Sequence, residues 1–135
     1  CKQQALSNNK DVYIMAGGIY EGRALTIGAN KIDVPSSMWK VAVFVENGQD
    51  PLKIDASTRV ISIVVPNQVG AVKLSQPFTD FRVKPTVIEE KTQFKLFSHL
   101  PTSLQDTFRQ RLDTADGNKL TKKQRRQQAS GLTTP

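Results

Sequence analysis

One histidine and one cysteine stand beside 12 Asp+Glu and 19 Lys+Arg in this 135-residue chain, so its options for catalysis are few. Any Ser-His or Cys-His chemistry within the chain would rest on His99. That residue lies in Phe97-Ser98-His99-Leu100-Pro101, between apolar segments. There it reads as a half-buried packing or hydrogen-bonding side chain rather than a ligand. Cys1 reads as a small buried hydrophobe on a helix face, and a single cysteine builds neither a disulfide framework nor a Cys-rich zinc site. Glu89 and Glu90 are adjacent, so on a helix they diverge by about 100° and do not converge on a metal ion or a scissile bond. Asp50, Asp55 and Asp80 lack the spacing of a calcium loop. Gly17-Gly18-x-x-x-Gly22 precedes no helical pattern, so it reads as a tight turn leaving a strand and not as a dinucleotide-binding loop. From these residues alone the chain holds no complete active site.

Cations are unevenly distributed. Of the net charge of +7, residues 117–135 contribute +5 through Lys119, Lys122, Lys123, Arg125 and Arg126, with no acidic residue among them. The rest of the chain is nearly neutral. A basic cluster set among Gly, Ser, Thr and Gln has too little apolar surface to fold. It reads as a disordered solubilising tail or, alternatively, as a phosphate-attracting arm. The proportions of apolar (38%) and charged (23%) residues fit one soluble globular domain and exclude collagen-like and wholly disordered classes. No apolar run nears the ~20 residues of a membrane span, and no signal-peptide pattern opens the chain.

The elements that must position these residues can be read in order. Cys1–Ser7 looks like the end of a helix, closed by the turn-forming Ser7-Asn8-Asn9-Lys10. Val12–Ala16 is a nearly continuous apolar run that predicts a buried strand, stopped at Gly17-Gly18. Residues 19–37 read as a loop with a short edge strand near Ile32–Val34. Met38–Val45 and Thr58–Val65 predict two further strands, separated by the turn signals Asn47-Gly48 and Asp50-Pro51. Phe78–Val83 alternates weakly, as an edge strand would. Thr86 with Glu89, and Thr102 with Gln105, have capping-box spacing and predict two helices, the second burying Leu104, Phe108 and Leu112. The fold class is therefore α+β, a central antiparallel β-sheet flanked by helices.

The order of four segments carries a resemblance. These are Val12–Gly18, Ile32-Asp33-Val34-Pro35-Ser36-Ser37-Met38-Trp39-Lys40-Val41, Thr58–Asn67 with its Val65-Pro66-Asn67, and Val87–Pro101. Together they resemble the C-terminal half of the DNA/RNA non-specific endonucleases, the sugar-non-specific ββα-metal (His-Me finger) nucleases. The resemblance covers residues 1–112 and leaves 113–135 as the basic tail. It implies a metal-dependent enzyme that hydrolyses phosphodiester bonds in DNA and RNA with Mg²⁺ or Mn²⁺. It also implies that the Asp-Arg-Gly-His general base and the metal-holding asparagine lie upstream of Val12, outside this segment. The helix end at Cys1–Leu6 then matches the tail of the metal-bearing helix. Lys2 falls near the family's phosphate-contacting arginine, with Gln3 as a competing match, and an ammonium lacks the bidentate fork of a guanidinium.

The resemblance thus names a nuclease, while the residues present cannot carry the chemistry. The expectation is a scaffold half, inactive alone. Its partners would be DNA, RNA and the N-terminal half of the domain, on the same precursor or a separate chain, and a homodimer is possible. The nucleic-acid contacts would be Lys2, Lys119, Lys122, Lys123, Arg125 and Arg126. The alternative is a catalytically inactive nucleic-acid-binding or interaction module using the basic tail. Localisation stays open between secreted or periplasmic and mitochondrial.

Overall fold

A computed structural model describes residues 2–22 and 25–115. Its elements run α1 (Lys2–Asn8), β1 (Lys10–Ile19), β2 (Leu25–Ile27), β3 (Ile32–Val34), β4 (Ser37–Glu46), β5 (Arg59–Pro66), α2 (Pro85–Thr92) and α3 (Thr102–Arg109). The β-branched and aromatic runs 37–46 and 59–66 form the middle and one flank of an antiparallel sheet of order β1-β4-β5. Its register sets Ile14 beside Ala42 and Ala42 beside Ile61, and likewise Met15, Val41 and Ser62. β2 and β3 form a separate antiparallel hairpin.

Alternation along β4 sends odd and even residues to opposite faces. Trp39, Val41, Val43 and Val45 meet Ile88, Leu96, Leu100 and Phe108 from the two helices and their connection. Ile88 and Phe108 are fully buried, which stabilises the fold by about 1.5–3 kcal/mol each. The opposite face holds a smaller cluster of Ala42, Phe44 and Ile61, with Val12, Ile63 and Phe78 against it. Helix α1 ends where Asn9 adopts a left-handed conformation, φ 51°, which a short polar side chain tolerates. Helix α2 ends at Gln93, φ 62°, whose N–H donates to the Glu89 carbonyl at 2.8 Å.

The antiparallel α+β class and the strands at 37–46 and 59–66 agree with the sequence reading; five local expectations do not. Strand β1 runs on through Gly17 and Gly18 to Ile19, and its middle is not buried: Tyr13, Ile14 and Met15 are 45%, 51% and 38% exposed. The glycines serve packing, because a Cβ on Gly17 would lie 2.9 Å from Nε1 of Trp39. Residues 25–27 form a strand inside the expected loop. Phe78–Val83 is a 3-10 turn at Phe78–Phe81 followed by one bridge, Arg82 to Ile63, flanked by Pro77 and Pro85. Neither threonine caps a helix: Lys84 and Pro101 hold the N-cap positions. Helix α3 stops at Arg109, so Leu112 is exposed while Leu104 and Phe108 pack as expected.

Candidate functional site

Lys2 is exposed at the first turn of α1. Lys119, Lys122, Lys123, Arg125 and Arg126 lie outside the described residues, as does Cys1. His99 is exposed, not half-buried. Its neighbours Leu96 and Leu100 point inward instead, turned by a left-handed Phe97 at φ 63°. Among the described residues no three His, Cys, Asp or Glu side chains converge to hold a metal ion, and no helix is long and apolar enough to cross a membrane. The residues on hand therefore do not fit a divalent-ion site.

The buried charges hold elements together. Asp113, beyond α3, accepts from Arg59 Nε at 2.9 Å and Nη2 at 3.0 Å, and from Arg82 Nη1 at 3.1 Å. Arg82 Nη1 also donates to the Asp113 and Ala115 carbonyls at 2.8 Å. Glu89 is the other hub: its carboxylate accepts from the buried Leu96 N–H at 2.7 Å and from Arg109 Nε at 2.5 Å, linking α2, the following loop and α3. Hydrogen bonding and then charge attraction from Glu89 raise the pKa of the Arg109 guanidinium. Glu90, by contrast, is exposed, so the adjacent pair does diverge. Gln105 turns its amide to the Ser98 and Leu100 carbonyls.

Two clefts remain. A polar one of about 450 Å³ is lined by Lys10, Phe44, Glu46, Asp55, Ser57 and Arg59, among others. Its charges are already engaged: Lys10 with Glu46, Arg59 with Asp113, and Asp55 with Ser57. The Ser57 hydroxyl at 2.5 Å, and then the Ser57 amide at 2.7 Å, hold the Asp55 carboxyl below the usual carboxylate range. An apolar cleft of about 280 Å³ lies beside β1, lined by Tyr13, Met15, Leu52, Leu96 and Leu100, with Lys95 and His99 also in its wall. Sequence reasoning missed this region because an apolar run reads the same whether its cover comes from nearby or from outside the segment. The signal available was the absence of any charge from Val12 to Ile19.

Comparison with known proteins adds what the side chains alone withhold. Residues 1–103 match the family model of DNA/RNA non-specific endonucleases. A crystal structure of the EndoG/EndoGI complex, concerned with the mechanism of EndoG inhibition, matches at 25% identity with a TM-score of 0.53. The match covers 67% of this chain and 37% of that chain, so this chain spans well under half of that relative. A search among curated proteins returned no match.

Proposed function

Because the chain belongs to the DNA/RNA non-specific endonuclease family, we propose that it is the scaffold half of a nuclease that hydrolyses phosphodiester bonds in DNA and RNA. Residues 1–112 form the C-terminal part of the nuclease domain, and 113–135 carry a basic tail whose first residue, Asp113, is still clasped to the domain by Arg59 and Arg82. The histidine general base and the ligands of the Mg²⁺ or Mn²⁺ ion belong to the upstream half, on the same precursor or a separate chain. The observation that carries this reading is the family match over residues 1–103 on a chain whose described residues converge on no metal site. What this chain contributes is position. The sheet carries α1 at the head of β1, and the Asp113 and Glu89 clasps fix the outer elements to that frame.

The test is cleavage of supercoiled plasmid and of RNA with Mg²⁺ or Mn²⁺ and an EDTA control. Cleavage is expected from the native preparation and not from the 135-residue chain alone. Metal-dependent cleavage by the 135 residues would overturn the division of labour, and His99→Ala would then be the first variant to examine.

Lys2, Lys119, Lys122, Lys123, Arg125 and Arg126 are the proposed phosphate contacts. Each contact releases counterions, so affinity for duplex should fall with salt at a log–log slope of about −0.9 per contact. Deleting 117–135 should flatten that slope; an unchanged slope removes the tail from the interface. The concentration of +5 in those nineteen positions also keeps open a catalytically inactive nucleic-acid-binding module. Retained binding in a native preparation that never cleaves would select it.

A further inference from the structure

The two outer edges of the central sheet differ. Beside β5, the chain closes the edge itself: Arg82 bridges Ile63, and the Val83 N–H donates to the Ser62 carbonyl at 2.9 Å. Beside β1, no described strand lies on the outer side. Soluble proteins blunt such an edge with lysine, proline or a bulge, because its unpaired N–H and C=O groups recruit other strands. Residues Val12–Ile19 contain no charge and no proline, and they pair with β4 residue for residue. The only charges on β1, Lys10 and Asp11, are already engaged, with Glu46 and with the Gly48 N–H.

Over residues 13–16 both faces of this edge are also uncovered. Tyr13 and Met15 are exposed on the side of the helices, next to the apolar cleft, and Ile14 is exposed on the other side. We propose that the β1 edge is the seam where the upstream, catalytic half of the domain joins this chain, laying an extended segment beside Val12–Ile19. Apolar side chains of that segment fill the cleft between Tyr13, Met15, Leu52 and Leu96. The occupant follows from two observations. This chain spans 37% of its solved relative, so most of that chain lies outside it, and the described residues lack a convergent metal-ligand group that the other half must bring. The proposal rests on the scaffold reading above.

Amide hydrogen exchange measured by mass spectrometry tests the seam, on the native preparation and on the 135-residue chain, with cleavage assayed in parallel. Outward-facing amides of residues 12–19 should exchange at least about 100-fold more slowly in the native preparation, since only a paired edge needs an opening event. Ile14→Lys should speed thermal inactivation of the native preparation and leave the melting midpoint of the 135-residue chain unchanged. Fast exchange at 12–19 in a preparation that cleaves nucleic acid overturns the seam and leaves the nuclease reading intact. Slow exchange in a preparation that never cleaves overturns the nuclease reading instead. Protection that appears in the 135-residue chain and grows with its concentration assigns the edge to a second copy, which also overturns the proposal.

Discussion

Gly17→Ala tests the contact on which the edge strand rests. The added Cβ would lie 2.9 Å from Nε1, 3.1 Å from Cε2 and 3.2 Å from Cζ2 of Trp39, against about 3.5–4.0 Å for unstrained carbon contacts. The indole has little room to yield: it is 6% exposed, and Phe94 packs edge-on at 6.3 Å between ring centroids. Overpacking of this kind costs about 1–3 kcal/mol. Alanine also restricts the unfolded chain, which returns about 0.4–1 kcal/mol. The steric term wins, and the net loss is about 0.5–2 kcal/mol. In a urea titration with an m-value of about 1.5 kcal/mol/M, that lowers the midpoint by roughly 0.3–1.3 M. Fluorescence of Trp39, the chain's single tryptophan, reports the transition. Circular dichroism serves for the control, Gly17→Ala in a Trp39→Phe background, where the smaller ring should remove most of the loss. A Gly17→Ala protein at least as stable as the parent, or an equal loss in both backgrounds, would refute the reasoning.

Phe108→Ala empties a fully buried site and should cost about 3–5 kcal/mol, read as the shift of the same urea transition. Asp113→Asn removes the charge facing Arg59 and Arg82 from a site 8% exposed; it should cost about 3–5 kcal/mol and speed amide exchange at residues 111–115 above that at Ile88. The Asp55 carboxyl, held down by Ser57, contributes stability above its unfolded pKa of about 3.9 and loses it as pH falls through the lower folded value. Asp55→Asn should therefore lower stability at neutral pH, converge with the parent as pH falls through the folded pKa, and so flatten the acid limb of a stability-versus-pH curve; an equal loss at every pH, or none at neutrality, would contradict the assignment.

Strands β4 and β5 were legible because their cover is local: β-branched runs bounded by Asn47-Gly48, Asp50-Pro51 and Pro66 can be little else. The helices were legible too, but for a reason other than their caps. Pro85 and Pro101 set where each helix starts, and Glu89 and Gln105, whose spacing suggested capping boxes, spend their side chains on Leu96, Arg109 and the 98–100 carbonyls. Those partners are chosen by tertiary packing, which spacing does not encode. Gly17-Gly18 failed as a stop signal for the same reason, since the residue that demands the glycine is Trp39, far away in sequence and adjacent only through register. Of the candidate site, the divergence of Glu89 and Glu90 was legible, because adjacent helical residues point about 100° apart whatever packs around them. The open edge was not, because Tyr13-Ile14-Met15 reads as core in any register.

Strand β4 is the sole link between the two flanks of the central sheet, and this orders assembly. Each flank must close its own loop onto β4: residues 47–58 for β5 and residues 20–36 for β1. The longer loop costs only about 0.3 kcal/mol more in closure entropy, too little to decide. The two glycines within β1 decide it, adding about 0.5–1 kcal/mol each in lost backbone freedom against none for β5. On these costs the β4–β5 pair is the easier to close and β1 is expected to dock onto it. The strand that joins last is also the one with no described strand on its outer side, so until it docks on β4 both edges of Val12–Ile19 are unpaired.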